Sequence, residues 1–427
     1  MAKITVIGAG AAGLAAAWRL AGKHDVTLLE VENDTGGMGG KWDVDWDGKK
    51  YSVNKTYHHI LKGDATTIRF ARELGLEVKF RKVKQGFIYN GKIHRFSSPI
   101  DILRFPLPIS SKIRLAKFTL FDVKRADWDS LTGKTASEWI VSKAGKKNYD
   151  IFFDQLMRNK FHAEPSTISA PWFGTRFVKE SSSFLAKFGA IDGGQGMILE
   201  KMAQELPRRG VKIITGARAE KIELGKIKRV SYSAGGKKHA TDSDAIISTV
   251  APEVFLSMVQ CEPAIEKQLR DMRYLSCICL TFGVRKEFND IYWTNVLDKD
   301  VPFSVMFNQT ALYKDAPEGK QIFYIARYLD KKEHQWKMSD EELKRLYLKK
   351  ADSFLPGFSE AVEWSRIVRF EHAEAIYSMG FQNPPVRAGE GLYLAGIFKI
   401  FPRVRNVASA LEEGEAAAKA VEEDVGG

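Results

Sequence analysis

Lys3-Ile4-Thr5-Val6-Ile7-Gly8-Ala9-Gly10-Ala11-Ala12-Gly13-Leu14 is the stretch that decides the reading of this chain. A β-branched run enters three glycines, and an alanine-rich run over 15–20 leaves them. The pattern predicts strand, tight turn and helix. Gly8 makes the turn, Gly10 lets the backbone approach a pyrophosphate, and Gly13 lets helix and strand pack closely. The helix starting at Ala11 and Ala12 presents free N–H groups and a positive dipole end to the phosphates. A second apolar strand, Asp25-Val26-Thr27-Leu28-Leu29, ends in Glu30. A carboxylate there accepts both ribose hydroxyls of an adenosine and repels a 2′-phosphate. The spaced glycines, Trp18-Arg19 and the following strand argue against a signal peptide.

Glu30 is followed by Val31-Glu32-Asn33-Asp34-Thr35-Gly36-Gly37-Met38-Gly39-Gly40-Lys41. Here the chain resembles the superfamily of flavin-binding amine oxidases, protoporphyrinogen oxidases and phytoene desaturases, which also holds UDP-galactopyranose mutase. Its members follow the acidic residue with a Gly-Gly-Arg turn along the diphosphate and ribityl chain of FAD. The resemblance implies that role for Gly36, Gly37, Gly39 and Gly40, with Lys41 in place of the arginine. Read as residues alone, the glycine pairs also suit a surface hairpin.

The resemblance runs along the whole chain, with gaps in the middle. Residues 51–59, Tyr-Ser-Val-Asn-Lys-Thr-Tyr-His-His, are similar to the segment that passes the flavin before the substrate domain. Residues 190–197 resemble the Gly-Gly-Met turn, and a helix follows it. The strand through Ala219 matches the one whose backbone bonds adenine. Residues 244–252 resemble the strand returning to the FAD domain, and 391–396 the last FAD strand, ending at Gly396. The family usually has an acidic residue next, where this chain has Ile397. That departure bears on how tightly flavin is held. The following 398–406 are similar to a protoporphyrinogen-oxidase-like subgroup with an aromatic-Pro…Arg…Asn segment. Asn406 is expected to cap a helix from Val407 to about 421, aimed at the pyrimidine edge of the flavin, with Arg405 beside it. The same residues suit an ordinary capped terminal helix.

The 427 residues suffice for two or three lobes, and 44% hydrophobic content excludes a disordered chain. No apolar run approaches the ~18 residues of a membrane span. Of three cysteines, Cys277 and Cys279 fall on one face of a predicted strand, as buried thiols of a reducing compartment. No metal spacing is present. A net charge of +12 comes from 65 basic and 53 acidic residues, spread out and without a nucleic-acid motif. Residues 99–125 interleave apolar residues with cations, which suits either an ordinary substrate-domain helix or a helix lying on an anionic bilayer. The expected location is cytoplasmic, with peripheral membrane contact through this segment.

The expected fold is α/β, a Rossmann-type FAD-binding domain with an inserted α+β substrate domain. Residues 1–60, 190–252 and 388–427 are assigned to the first, and 61–189 and 253–387 to the second. The active site then lies between them. FAD carries the chemistry and the chain positions substrate. By family position, Tyr377 walls the pocket or bonds substrate, unless it is a packed core tyrosine. His58 and His59 touch flavin or substrate, unless they are structural. Arg158 and Lys160 hold a substrate carboxylate or phosphate, unless they form surface ion pairs; Arg403 and Arg405 are candidates for the same role. The leading function is an FAD-dependent oxidoreductase that removes hydride from a C–C, C–N or porphyrinogen-type bond. Oxygen, quinone or another carrier regenerates the flavin. The alternatives are a non-redox nucleotide-sugar mutase and a flavin-free binder of prenylated partners, like the GDP-dissociation inhibitors.

Overall fold

The computed structural model describes residues 1–131, 133–161, 164–180, 187–313, 315–377 and 379–425. Two sheets organise it. The first has six strands in the order Arg387–Gly389, Leu392–Leu394, Ala245–Ser248, Lys3–Ile7, Asp25–Leu29, Lys212–Ile214. All neighbours run parallel except the outermost Arg387–Gly389. Helices cover such a sheet on both faces, so its central strands read as unbroken apolar runs: Ala245–Ser248 is buried at every position. The helices Ala11–Leu20 and Val407–Val425 pack together over one face. Gly414 makes that approach possible, since a Cβ there would stand 2.0 Å from the Ala12 carbonyl oxygen.

The second sheet has seven strands, in the order Val362–Ile376, Arg273–Val284, Gln321–Leu329, Val305–Asn308, Ile291–Val296, Lys84–Tyr89, Lys92–Arg95. It is antiparallel apart from the pairing of Ile291–Val296 with Lys84–Tyr89. Alternation along the strands sorts its side chains. Ile278, Leu280, Phe323 and Ile325 pack against Leu343 and Tyr347 of the Asp340–Asp352 helix. Cys277, Cys279, Tyr324 and Tyr328 point to the opposite face, in a cluster with Val44, Trp46 and Val53. Helices from Pro99–Arg104 to Ala170–Glu180 form a lobe beside this sheet. Strands Lys84–Tyr89 and Lys92–Arg95 form a hairpin that turns on Asn90 and Gly91, both at positive φ. A second hairpin, Lys41–Trp46 with Lys49–Asn54, turns on Asp47 and Gly48 and was not anticipated.

Replacing Gly414 by valine is expected to lower stability by about 1–3 kcal/mol through overpacking against Ala12. Chemical denaturation of the two proteins measures this. Equal stability would show that the terminal helix does not sit as described.

Candidate active site at the domain interface

The glycine loop assumes the geometry its sequence asks for. Gly8 has φ +100°, a conformation other residues rarely adopt. A Cβ on Gly13 would lie 1.8 Å from the Gly8 carbonyl oxygen, whereas one on Gly10 would meet nothing within 4 Å. Open space therefore remains where a phosphate approaches. The Ala11–Leu20 helix begins with no side-chain cap and no acidic residue in its first turn. Its first N–H groups are thereby left to an anionic ligand.

Glu30 is buried at the end of its strand. It accepts the Ala9 N–H at 2.6 Å and the Glu32 N–H at 2.9 Å, which still leaves lone pairs on both oxygens. Burial raises its pKa against the pull of these two N–H groups. The strand Ala217–Glu223 starts beside it, with the Ala217 N–H bonded to the Glu30 carbonyl at 2.7 Å. A bulge between Ala219 and Lys221 interrupts that strand's ladder and leaves backbone unpaired in this region.

The second glycine turn lies against the first. The Gly36 N–H donates to the Ala9 carbonyl at 2.8 Å, and a Cβ on Gly37 would sit 3.6 Å from the Gly10 Cα. Further along, a Cβ on Gly39 would meet Leu199 at 2.8 Å and Val407 at 3.5 Å. Gly40 is covered by Lys55, whose N–H donates to the Gly40 carbonyl and whose Nζ reaches Asp34 at 2.6 Å. Lys41, expected on the diphosphate, is instead paired with Asp43 at 2.8 Å and Glu200 at 3.1 Å. Asn406 caps the last helix, its Oδ1 accepting the Ser409 N–H at 2.8 Å and its Nδ2 donating to Asp64 at 3.0 Å. A line of close backbone approaches thus runs from Glu30 past Gly10, Gly37 and Gly39 to Val407.

Beyond Val407 stands a polar and aromatic cluster built by the second sheet and the segments packed on it. Arg405 Nε donates to Glu374 Oε2 at 2.7 Å, and both side chains are nearly buried. The same guanidinium donates to the Tyr328 hydroxyl. Tyr57 OH donates to Tyr328 OH at 3.0 Å, and the Tyr57 ring stacks on Phe307 at 4.2 Å. Lys160 Nζ lies 5.1 Å from the Tyr328 ring centroid, a cation–π contact. His59 stacks on Phe188 at 4.3 Å, and its Nδ1 is 3.1 Å from Tyr292 OH. His58 Nε2 meets the Met38 carbonyl, which only accepts, at 3.1 Å; that nitrogen therefore carries the proton. Burial holds both imidazoles neutral down to a pKa of about 3, helped by Arg405 at His58 and by Lys160 at His59. Burial also pushes the Cys277 thiol up to about 12, so it is not a nucleophile.

Two expected residues are placed away from this cluster. Tyr377 is packed among Trp172, Phe381 and Phe401, and its hydroxyl donates to the Ile397 carbonyl at 2.6 Å. It braces the loop after Gly396 (φ +147°). Arg158 is paired with Asp154 and Glu164. It lines a different cleft of about 560 Å³, with Asn159, Arg273, Lys299 and Arg327. Arg403 is likewise committed to Glu412 and Glu413. The residues that sequence reasoning passed over are Tyr57, Tyr328, Phe307 and Glu374. The one available signal was Glu374 itself, a carboxylate in a β-strand run, which burial obliges to find a cation.

The sequence profile of the flavin containing amine oxidoreductases matches residues 11–421. The chain belongs to this family. It is an FAD-dependent oxidoreductase, and the open space beside Gly10 at the uncapped start of the Ala11–Leu20 helix suits the cofactor's pyrophosphate. Solved structures with this fold include cyclohexylamine oxidase from Brevibacterium oxydans IH-35A, 15% identical, with 100% of each chain covered and a TM-score of 0.76. A candidate protoporphyrinogen oxidase from Exiguobacterium sp. 255-15 is 14% identical, with 99% of each chain covered and a TM-score of 0.75. An oxidoreductase from Methanosarcina mazei is 17% identical, covering 98% of this chain and 100% of its own, with a TM-score of 0.73. No curated protein matches the sequence. Among the described residues no helix is long and apolar enough to cross a membrane.

Two outcomes test this site. Glu30→Ala is expected to weaken FAD binding about tenfold or more, the loss of hydrogen bonds to a charged group. Titration of apoprotein with FAD reads it, and unchanged affinity would remove Glu30 from the cofactor site. The buried histidines set a pH dependence. Between their ordinary 6.5 and a folded value of about 3, the unfolded chain binds more protons. Stability is therefore full above 6.5 and falls as pH falls towards 3, by at most about 1.4 kcal/mol per pH unit for each histidine. His59→Phe should make that fall shallower in denaturation curves across this range. An unaltered slope would show that His59 is not buried neutral.

Proposed function

We propose that this part of the fold holds FAD with its adenosine ribose on Glu30 and its pyrophosphate on Gly10, Ala11 and Ala12. Gly36, Gly37, Gly39 and Gly40 follow its middle portion, Ala219 meets the adenine through its backbone, and Gly396, Ile397, Asn406 and Val407 meet the flavin end. Residues 1–60, 190–252 and 388–427 form the cofactor domain in this reading, and 61–189 with 253–387 the substrate domain. FAD, when bound, supplies the hydride acceptor, and oxygen, quinone or another carrier takes the electrons onward.

The chain's own residues then position an organic substrate for hydride removal from a C–C, C–N or porphyrinogen-type bond. Tyr57, His59, Trp293 and Phe307 supply an aromatic wall against which an apolar skeleton stacks. Glu374 and Tyr328 hold the Arg405 guanidinium in one orientation. The observation that carries the substrate class is the cluster's charge. Arg405 and Lys160 bring guanidinium and ammonium groups to it, Arg405 is paired with Glu374, and both histidines are neutral. A cation beside a bound substrate favours a carboxylate there over an ammonium group, and Arg405 and Lys160 both stand at this wall. We therefore assign a lipophilic substrate bearing an anionic group.

The test is anaerobic flavin bleaching by one apolar skeleton in three versions, neutral, carboxylated and aminated. The carboxylated version should bleach the flavin at the lowest concentration. Lys160→Met should raise its half-saturating concentration about tenfold, the weight of one charged contact, without moving that of the neutral version. Bleaching by the aminated version alone would contradict this assignment.

A further inference from the structure

The cleft that Arg158 lines shares no residue with the cofactor site or the aromatic cluster, and its volume of about 560 Å³ suits a small molecule. One wall is the Asp154–Phe161 helix. Arg273 and Arg327 come from two neighbouring strands of the second sheet. Lys299 and Ser304 come from the connection between Ile291–Val296 and Val305–Asn308. Helix and strand each send neighbouring side chains to opposite sides. Arg327 lines the cleft while Tyr328 joins the aromatic cluster, and Asn159 lines it while Lys160 lies over the Tyr328 ring. The cleft is thus a second site behind the wall of the first.

Four cations, Arg158, Arg273, Lys299 and Arg327, line it against one acid, Glu164. They are not equivalent. Arg158 spends Nε on Asp154 and both Nη atoms on Glu164, so its charge is already answered. Arg327 gives only Nη2 to Glu333, at 2.6 Å, and keeps its other N–H groups for a further acceptor. Arg273 and Lys299 form no ion pair among the described residues. The acids on either side of Lys299 are spent elsewhere, Asp298 on the Asn90 and Gly91 N–H groups and Asp300 on Lys350. Ser304 adds an independent sign. It is only 8% exposed, and its hydroxyl has no hydrogen-bond partner among the described residues. Buried hydroxyls are ordinarily bonded, so one left open at a cleft wall is a donor kept for what enters. We infer that this cleft binds a phosphorylated small molecule, its phosphate on Arg273, Lys299, Arg327 and Ser304. A tetrahedral dianion accepts from several directions at once, and these donors converge from two strands and a loop. Val301 and Phe303 line the same cleft and give the organic body an apolar surface. The site goes beyond the proposed reaction and needs no substrate at the flavin.

The experiment is calorimetric titration of the FAD-loaded protein with phenyl phosphate, inorganic phosphate and phenol, at a slightly alkaline pH where the ester is a dianion. Phenyl phosphate should bind saturably, inorganic phosphate about tenfold more weakly for want of the apolar contact, and phenol not at all. Arg273→Glu with Lys299→Glu should weaken phenyl phosphate at least about a hundredfold, and Ser304→Ala about tenfold, the weight of hydrogen bonds to a charged group. Lys237→Glu with Lys238→Glu makes the same change of charge on an exposed strand elsewhere and should bind as the native chain does. Lys160→Met should also bind as the native chain does. Unchanged melting temperature and flavin absorbance show that the variants are folded. Four results overturn the inference: no saturable binding of phenyl phosphate, equal affinity for inorganic phosphate, native affinity in the Arg273 and Lys299 variant, or loss of binding in Lys160→Met. The last would place the ester beside the flavin and not in the cleft. None of these depends on flavin bleaching, so the cleft and the proposed reaction stand or fall separately.

Discussion

Backbone against backbone at Gly8 and Gly13 is the constraint from which the site follows. With 1.8 Å between the Gly8 oxygen and where a Cβ on Gly13 would stand, no side chain fits. The helix is held tight to the strand, and its N-terminus opens at Gly10. That placement aims the Ala9 N–H at Glu30 and the Ala9 carbonyl at the Gly36 N–H. One loop therefore fixes both the ribose carboxylate and the second glycine turn. The second turn in turn meets Val407, the start of the terminal helix, whose docking through Gly414 closes back on Ala12. The proposed dinucleotide site rests on a chain of close approaches that only small residues permit.

The second sheet is joined by charge to the loop before the terminal helix. Arg405 comes from the loop before the last helix and Glu374 from the edge strand of the second sheet. Burying such a pair costs desolvation that its attraction need not recover, so its contribution is better sought in orientation than in stability. Here it turns the guanidinium towards Tyr328 and, through that hydroxyl, Tyr57. Removing either partner would leave a buried charge alone, a loss larger than the pair's own worth.

What the sequence made legible was local. Strand, glycine turn and helix lie within a dozen residues, and their roles at Gly8, Gly10 and Gly13 follow from sterics. The cap at Asn406 is equally local, since its partner Ser409 is three residues on. The aromatic cluster was not legible, because Tyr57, Phe307 and Tyr328 meet only through a seven-stranded register. Tyr377 shows the converse error. Its place near a strand end suggested a pocket wall, but the neighbouring aromatic residues Trp172, Phe381 and Phe401 enclose it. Arg158 likewise sits only two residues from Lys160, yet it serves a different cleft. Lys41 resembles a phosphate-binding position in sequence, while Asp43 and Glu200 claim its charge in the fold.

The central claim is that the amino-terminal loop grips the adenosine half of the cofactor. Calorimetric titration of the apoprotein with FAD and with FMN, which lacks that half, tests it most directly. The account predicts saturable binding of FAD and at least about a hundredfold weaker binding of FMN, the loss of two or more charged hydrogen bonds. Equal affinity for the two would mean that Glu30 and the glycine loop do not hold the cofactor, and the account would be wrong.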